Sequence, residues 1–446
     1  MHAGAMSTIA AAPSYNPSLG QPRHWRITLG YGLAHFGKSL FWYAGELLFA
    51  YLLTEASGLS GAAMGLVVSG SLAFSGLLDL LAGRPLTKHL SNLGAAARMQ
   101  LWGACASTVI LLALLGAAWI PGEWQLPYVA ATIIAFRTAY LFYDLPQNVM
   151  LVTATADQEA RSRVSSTRSF FSGSATIAIA AAITPLIAAR QSGQLPEVFL
   201  ALGFAMGAIA ITTALLLRWQ FDRPGATHAT GDGTANPEDR PAFPRPFWLL
   251  IAITLILSLT TPTFGKLEPY FATYVLKSSA WGGLLGIAVA GGQVLSQPLW
   301  VAFSDRFSRA STLRCALVLI VASGAAFYAV GAENMGAAFA AAALFGCANG
   351  GAGMIGWAAA ADAIAVVPGR GALGITILTA ASKFALASNI LAIGLFLSLV
   401  EQQSTTSIIW LIAMVCPPMI GAILCWFASL AWSGKSPRRP SRQQMN

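Results

Sequence analysis

The sequence predicts an all-α membrane protein of twelve transmembrane helices, arranged as two pseudo-symmetric halves of six. Of its 446 residues, 56% are hydrophobic and only 10% are charged, whereas soluble domains carry about 25% charged residues. A helix needs about 20 mostly apolar residues to cross a bilayer, and the chain contains twelve segments of that kind. One long polar stretch separates the sixth segment from the seventh.

The twelve segments follow one another at short intervals. They cover residues 28–54, 62–88, 97–119, 127–154, 165–190, 197–217, 247–276, 281–305, 311–332, 335–366, 370–399 and 406–432. They predict an N-terminal bundle at 28–217 and a C-terminal bundle at 247–432. The stretch 218–246, rich in Gly, Pro, Asp and Thr, is expected to be a cytoplasmic linker. Residues 1–27 are expected to form a disordered tail, and 433–446 a basic tail.

Lys and Arg are unevenly distributed between the two sets of loops, and cytoplasmic loops carry the excess in membrane proteins. Both terminal tails and every second loop are basic, whereas the opposite set of loops holds only Arg190 and Lys277. Both termini are therefore expected in the cytoplasm. The net charge of +9 comes from scattered loop residues and not from one clustered face, so no nucleic-acid partner is expected.

The loop after the eighth span carries Asp305 and Arg306, and the basic loop 83–88 occupies the matching place after the second span. This weak repeat favours the major facilitator architecture, in which two six-helix halves rock around a central site. Two interpretations of the Asp305–Arg306 loop remain open. It is a latch for the conformational change, or it is an ordinary basic loop on the cytoplasmic side.

Three charged residues lie deep inside predicted spans. A charge at the centre of a membrane helix costs roughly 2.5–3.5 kcal/mol, so Asp79 and Asp144 are expected to serve a function. Lys383 lies 13 residues after position 370, where its span begins, and is too deep to reach the membrane surface easily. It needs a partner, for which Asp79 or Asp144 is the expected choice.

Ser75 stands four residues before Asp79, which places both side chains on one face of a helix. A hydroxyl beside a carboxylate can hold a proton or offer two oxygen ligands to sodium. We therefore expect Asp79, Ser75 and Lys383 to couple transport to a cation. The alternative is an Asp79 carboxylate that is satisfied by a neighbouring Arg or by backbone groups.

Asp144 lies between Tyr143 and the Leu145-Pro146 pair, a setting typical of a substrate-site wall. Arg137 precedes it by seven residues, on nearly the same helical face and about 10 Å away. Arg137 is expected either to neutralise an acid across the cavity or to extend outward to the membrane surface. Arg168 is a further candidate for the substrate site, with the same alternative of an interfacial position.

Two aromatic side chains, Trp42 and Tyr43, are candidates for stacking on a sugar ring or another ligand, and Tyr143, next to Asp144, is a further candidate for the substrate site. Helix packing and interfacial belts are the alternative explanation for membrane aromatics. Glu46 lies eight residues beyond Lys38, a spacing that predicts a local structural pair.

Several motifs together resemble the glycoside–pentoside–hexuronide:cation symporters, the melibiose-carrier family of the major facilitator superfamily. The resemblance runs through most of the chain outside the tails and the linker. The motifs lie at 31–38, 65–83, 144–146, 163–168, 270–276, 298–307 and 382–383. The resemblance implies that Asp79 stands at the second acid of the cation site and that Lys383 lies near this site. It also implies sugar contacts for Asp144 and Arg168, and it brings Lys38 and Ser39 into the substrate site.

Three positions depart from the family pattern. Ser75 stands where the cation motif has its first acid, and Ser39 replaces another sugar-binding aspartate. Leu80 replaces the proline that usually follows the second acid. A sodium site at Asp79 and Ser75 is therefore incomplete, and this favours proton coupling.

The leading hypothesis is cation-coupled symport of a small polar solute, such as a glycoside, sugar or sugar acid, with a proton favoured over sodium. The chain is expected to be a monomer in a bacterial inner membrane, with no cofactor and no bound metal other than a coupling sodium. One alternative is transport of an amphipathic, lipid-like or other organic solute on the same scaffold. Another is a receptor or scaffold that does not transport. No catalytic motif is present, so an enzyme is not expected.

Overall fold

The computed structural model describes residues 18–49, 53, 61–221, 242–277, 279–331, 333–400 and 407–432. Within these ranges the chain folds into twelve spans, which we number α1 to α12. The first six are α1 (Trp25–Tyr43), α2 (Gly61–Ala82), α3 (Leu93–Leu115), α4 (Gly122–Thr153), α5 (Gln158–Ser192) and α6 (Leu195–Phe221). The last six are α7 (Arg245–Thr260 and Pro262–Tyr274), α8 (Ser279–Leu295 and Gln297–Arg306), α9 (Arg309–Val330), α10 (Met335–Ala365), α11 (Gly371–Val400) and α12 (Ser407–Leu430).

The predicted number of spans is confirmed for the part of the chain that is described. Ten of the spans are long and apolar enough to cross a membrane by length and composition alone. The other two, α1 and α5, carry Lys38 and Arg168 among their buried residues, which lowers their apolar character. The bundle encloses both helices, so they complete the expected set of twelve.

Helices α7 and α8 are each interrupted, a feature that the apolar pattern did not predict. The first part of α7 ends at Thr260 and the second begins at Pro262. In α8, Pro298 lies in the first turn of the second part, directly after the break at Ser296. A proline lacks the amide hydrogen that continues the helical ladder but is accepted in the first turn.

The N-terminal boundary of the bundle differs from the sequence-based one. Residues 18–24, which were expected to belong to a disordered tail, pack against the start of α5 and the turn before it. The Leu19 amide donates to the Ala154 carbonyl at 2.7 Å, and Arg163 Nη1 donates to the Gly20 carbonyl at 3.1 Å. Backbone pairing and the burial of Leu19 order this segment. Residues 1–17, 222–241 and 433–446, which include most of the predicted tails and linker, lie outside the described residues.

Three apolar clusters organise the bundle. One lies wholly within the N-terminal half, at 40–214, and a second wholly within the C-terminal half, at 250–432. The third joins the halves and includes Leu145 and Val149 of α4 with Ile364 and Ile375 of the other half. It lies where α4 ends and α5 begins, at the end of the bundle that carries Arg161 and Arg309, which we call the basic end. The functional cavity lies farther into the membrane.

Close helix contacts depend on glycines in the C-terminal half. A Cβ atom on Gly346 of α10 would overlap the Val289 carbonyl of α8, and one on Gly292 of α8 would overlap the Ala343 carbonyl of α10. The two backbones therefore meet at these glycines, as small residues allow in membrane helices.

The first prediction uses this crossing. We expect Gly346→Ala to lower the thermal stability of the detergent-solubilised protein, because overpacking of this kind costs about 1–3 kcal/mol. Gly356→Ala, on the same helix, is the matched control, since no atom lies within 4 Å of the added methyl group. Melting followed by size-exclusion chromatography measures both. Equal melting temperatures for the two variants would contradict the tight crossing.

Candidate functional site

A polar cavity of about 290 Å³ lies between the two halves. Helices α1, α4 and α5 form its N-terminal wall, and α8, α10 and α11 form its C-terminal wall. The side of the N-terminal half consists of His35, Lys38, Ser39, Trp42, Tyr43, Tyr140, Asp144, Asn148, Arg168, Ser169 and Ser172. The opposite side consists of Gln293, Asn349, Gly350, Gly353, Trp357, Thr379, Ser382, Lys383 and Leu386. Five of the predicted substrate-site residues thus meet here with Lys383.

Asp144 is the carboxylate of the cavity wall. Its Oδ1 lies 2.7 Å from Lys38 Nζ and accepts a hydrogen bond of 2.8 Å from the Asn148 amide, one turn along α4. Its Oδ2 lies 3.7 Å from Lys383 Nζ of the C-terminal half. The predicted local pair between Lys38 and Glu46 is wrong, because the Lys38 side chain extends to α4 instead.

Arg168 contacts the cavity through its guanidinium group, and its burial excludes the interfacial alternative. Nη2 donates to Oδ1 of the Asn148 side chain at 2.9 Å, and Nη1 donates to the Tyr31 hydroxyl at 3.2 Å. The guanidinium lies 4.2 Å from the centre of the Trp357 ring, a distance at which a cation is attracted to an aromatic face. Asn148 accepts from Lys38 as well, at 2.9 Å, so its amide links both cations to Asp144.

Asp79 and Lys383 form a buried ion pair across the halves. Lys383 Nζ lies 2.9 Å from Asp79 Oδ1 and 2.8 Å from Oδ2. Asp79 belongs to α2 and Lys383 to α11, and these two helices pack along each other. The expected partnership is confirmed. The alternative of an Asp79 satisfied by Arg or backbone groups is not what the structure shows.

Ser75 is buried one turn before Asp79 on α2. It does not line the cavity, and neither does Asp79, whose two oxygens face Lys383. The ammonium group thus occupies the place that a cation would need on this carboxylate. A sodium ion at Asp79 and Ser75 would have to displace it.

Aromatic rings form one edge of the cavity. Trp42 lies with its ring 6.3 Å from that of Tyr140, and Lys383 Nζ lies 6.0 Å from the Trp42 ring. Tyr143, a predicted substrate contact, does not line the cavity. The Tyr143 ring is fully buried and packs edge-on against Phe41 inside the N-terminal half. Tyr140, three residues earlier on α4, takes the position at the cavity.

Arg137 also lies away from the cavity lining, so the structure does not support its predicted contact with substrate. It does not extend to the membrane surface either, because only 1% of the residue is exposed. Its Nε lies 3.4 Å from the Ser71 hydroxyl, and its guanidinium packs against α1 beside Gly45. Glu46, the next residue, pairs with Lys266 of the other half at 3.3 Å.

The structure leaves both interpretations of the Asp305–Arg306 loop open. Both side chains are exposed at the end of α8. Asp362 of α10 joins the halves nearby, since its Oδ1 lies 3.0 Å from Arg161 of α5 and its Oδ2 lies 2.6 Å from Arg309 of α9. Arg161 was assigned to a loop, but α5 begins before it and directs it towards Asp362.

Several neutral polar residues of the site were not predicted. His35 lies 3.0 Å from the Gln147 amide oxygen and 3.1 Å from the Ser172 hydroxyl, which in turn lies 3.1 Å from Ser39. Asn148 is the most consequential omission. Its position four residues after Asp144 on a helix was a usable signal, since that spacing places both side chains on one face.

The second prediction concerns the Asp79–Lys383 pair. We expect Lys383→Met to lower the melting temperature of the purified protein, because removing one partner of a buried pair typically costs about 3–5 kcal/mol. The double variant Asp79→Asn/Lys383→Met should regain part of that loss, since it leaves no unpaired charge. Lys277→Met, at an exposed position, is the control. A double variant no more stable than Lys383→Met would argue against the pair.

Comparison with known proteins agrees with this architecture. Residues 30–432 match the family model described as MFS/sugar transport protein. The chain is 26% identical over 166 residues to YagG of Escherichia coli (strain K12). YagG is named as a glycoside/cation symporter, an activity assigned to it without proof. That match covers 37% of this chain and only 36% of the length of YagG.

Solved structures share the fold at low sequence identity. A bacterial homologue of the iron transporter ferroportin, in an outward-facing state, matches with a TM-score of 0.66 at 14% identity, over 92% of this chain and 99% of that chain. The proton:xylose symporter XylE matches with a TM-score of 0.61 at 16% identity, over 93% and 96%. FucP, in its outward conformation, matches with 0.63 at 10% identity, over 92% and 99%. These likenesses concern the fold alone. The family match covers nearly the whole described bundle, and the chain therefore belongs to the sugar-transport family of the major facilitator superfamily, as a multi-pass membrane transporter and not an enzyme.

Proposed function

We propose that this transporter carries out proton-coupled symport of a small polar solute, with a sugar acid or a glycoside as the substrate class. The observation that carries the proposal is the position of Lys383, which lies between the carboxylates of Asp79 and Asp144 at the cavity wall. A titratable acid on one side of this lysine and a substrate cavity on the other provide a direct link between a proton and a solute.

The coupling follows from electrostatics. Protonation of Asp79 removes one of the two charges that hold Lys383 on α2. Asp144, which lies 3.7 Å from Lys383 in this structure, is then the carboxylate towards which Lys383 shifts. Because α2 and α4 belong to one half and α11 to the other, this shift changes the contacts between the halves. A substrate that contacts both walls stabilises the occluded state, from which the cavity can open to the opposite side of the membrane.

Two observations support a proton over sodium. Both oxygens of Asp79 are already within 2.9 Å of an ammonium group, and Ser75 supplies only a hydroxyl where the resembling family has a second acid. Sodium prefers several oxygen ligands, whereas a proton needs a single carboxylate oxygen.

The charges of the cavity indicate the kind of solute. Lys38, Arg168 and Lys383 contribute three positive charges against the two negative charges of Asp144 and Asp79. Protonation of Asp79 raises the excess to two. A basic lining attracts anions, and the neutral amides and hydroxyls suit a hydroxylated molecule. The volume of about 290 Å³ is at the small end of the range for ligand pockets. This dense charge disfavours a lipid-like solute.

The basic end of the bundle is proposed to face the cytoplasm of a bacterial inner membrane, as the distribution of Lys and Arg favours. Asp362 holds α5, α9 and α10 together at this end. These ion pairs are proposed to stabilise the contact between the halves on the cytoplasmic side.

The third prediction tests the coupling role. Asp79→Asn should abolish gradient-driven accumulation of substrate in proteoliposomes while leaving substrate exchange without a gradient, because the neutral amide can neither bind nor release a proton. Glu197→Gln, which removes an acid from the first turn of α6, is the control and should transport normally. Full accumulation by Asp79→Asn would exclude Asp79 as the coupling site.

The fourth prediction tests ion and substrate together. When a panel of labelled solutes is added outside proteoliposomes, an inward proton gradient should drive uptake of a sugar acid or glycoside, and an equal sodium gradient should not. Arg168→Gln should raise the half-saturating concentration of an acidic substrate at least about tenfold, since a charged hydrogen bond contributes about 1.5–3 kcal/mol. Uptake driven by sodium alone would contradict proton coupling. Saturable uptake of lipid-like solutes in place of sugars would contradict the substrate class.

A further inference from the structure

A second charged cluster lies beyond the cavity, away from the basic end. Helix α1 continues past Tyr43 as a π-helical turn, Ala44–Leu48, which carries Glu46. Glu46 lies eight residues beyond Lys38 on α1, a rise of about 12 Å. Arg137 lies seven residues before Asp144 on α4, a rise of about 10 Å in the same direction, since the two helices run antiparallel. The cluster and the basic end therefore lie on opposite sides of the cavity.

Glu46 connects the two halves at this level. Its Oε2 accepts a hydrogen bond of 3.3 Å from Lys266 Nζ on the second part of α7. The pair is mostly shielded from solvent, with side-chain exposures of 18% for Lys266 and 12% for Glu46. Any movement that separates α1 from α7 at this end must break it.

Glu46 also lies beside a cation of its own half. The Arg137 guanidinium packs against Gly45, where an added Cβ would lie 3.5 Å from Nη1, and it interacts electrostatically with the Glu46 carboxylate. Among the described residues, neither Nη atom of Arg137 has a hydrogen-bond partner, and neither does Glu46 Oε1. These are buried donors and a buried acceptor of opposite charge in the same half, and they form no hydrogen bonds. Such groups are costly unless another state of the molecule pairs them.

The two other charged layers of the protein show the same arrangement with both contacts formed. Asp362 lies between Arg309 of its own half and Arg161 of the other. Asp144 lies between Lys38 of its own half and Lys383 of the other. Each carboxylate can keep its own cation when the halves part.

We propose that Glu46 is the movable member of an ion-pair switch that closes the cavity on the side opposite the basic end. With the halves together, Glu46 binds Lys266. When they separate at this end, Glu46 transfers to the Nη atoms of Arg137, which moves with it because α1 and α4 belong to the same half. Arg137 thereby lowers the free energy of the open state. The proposal needs only the rocking of two halves, and neither proton coupling nor a sugar substrate enters it.

The test measures how readily the cavity is reached from that side. All five native cysteines are replaced, and Ser39→Cys places one thiol at the cavity. Intact cells are then treated with a membrane-impermeant maleimide. Lys266→Met should increase the alkylation rate about fivefold or more, and Arg137→Met should decrease it by a similar factor, as expected for coupling free energies of this size. Lys266→Arg should stay close to the parent, and so should Lys277→Met, which removes an exposed lysine elsewhere.

The opposite signs distinguish a switch from a general loosening of the bundle. An increase with Arg137→Met, or no change with Lys266→Met, would overturn the proposal. Should Arg137→Met fail to reach the membrane, the pair Glu46→Gln and Lys266→Met decides. Lys266→Met should increase alkylation more than Glu46→Gln does, because Glu46→Gln removes the pair of the open state as well. Adding Lys266→Met to Glu46→Gln should have no further effect, whereas additive effects would overturn the inference. Because no substrate is added and no transport is measured, failure here leaves the proposed transport activity standing, and the reverse also holds.

Discussion

The buried ion pair between Asp79 and Lys383 is the interaction on which the rest of the arrangement depends. Neither charge is tolerable in hydrocarbon without the other, so α2 and α11 must stay together while both groups are charged. Lys383 also reaches Asp144 across the cavity wall. The relative position of the two halves is therefore tied to the charge of one carboxylate, and packing alone does not determine it.

Apolar packing and ion pairs have different roles in this structure. Each half has an apolar cluster of its own, which allows it to move as a body. The third cluster, at the basic end, contains buried apolar residues of both halves. At the cavity level and beyond it, the contacts between halves that involve charge are specific and few. A transporter gains from this division because ion pairs can exchange partners, whereas a close-packed apolar contact has no second arrangement of similar energy.

The sequence predicted the fold well because the bilayer restricts it so strongly. Segment length and the alternation of basic loops were enough for twelve spans, and the cost of a buried charge was enough to join Asp79 to Lys383, which lie 304 residues apart. Helix rotation and depth were harder to predict. Tyr143 and Arg137 have a plausible chemistry, yet one faces the core of its half and the other lies a level above the cavity.

Neutral groups escaped prediction for a related reason. Asn148 binds Lys38, Arg168 and Asp144 at once, but an amide costs less to bury than a charge and so stands out less in a sequence. The ordered segment before α1 escaped because backbone pairing holds it to residues 154 and 155, and such pairing leaves no trace in side-chain character.

In each of the three charged layers, a carboxylate lies near one cation of its own half and one cation of the other half, and this arrangement has a physical reason. If each carboxylate paired only with a cation of the opposite half, opening would leave two unpaired charges in a medium that solvates them poorly, and the barrier would be large. A second cation on the carboxylate's own half keeps the acid paired throughout. Only the opposite cation must then find a new partner or water. Each layer therefore leaves only one charge unpaired when the halves separate there, which keeps the free-energy barrier of each step low. The middle layer differs in one respect, because Lys383 has a second acid, Asp79, to hold it. In the proposed coupling, a proton on Asp79 removes that hold, and the middle layer is then the place where an ion gradient acts on the movement of the halves.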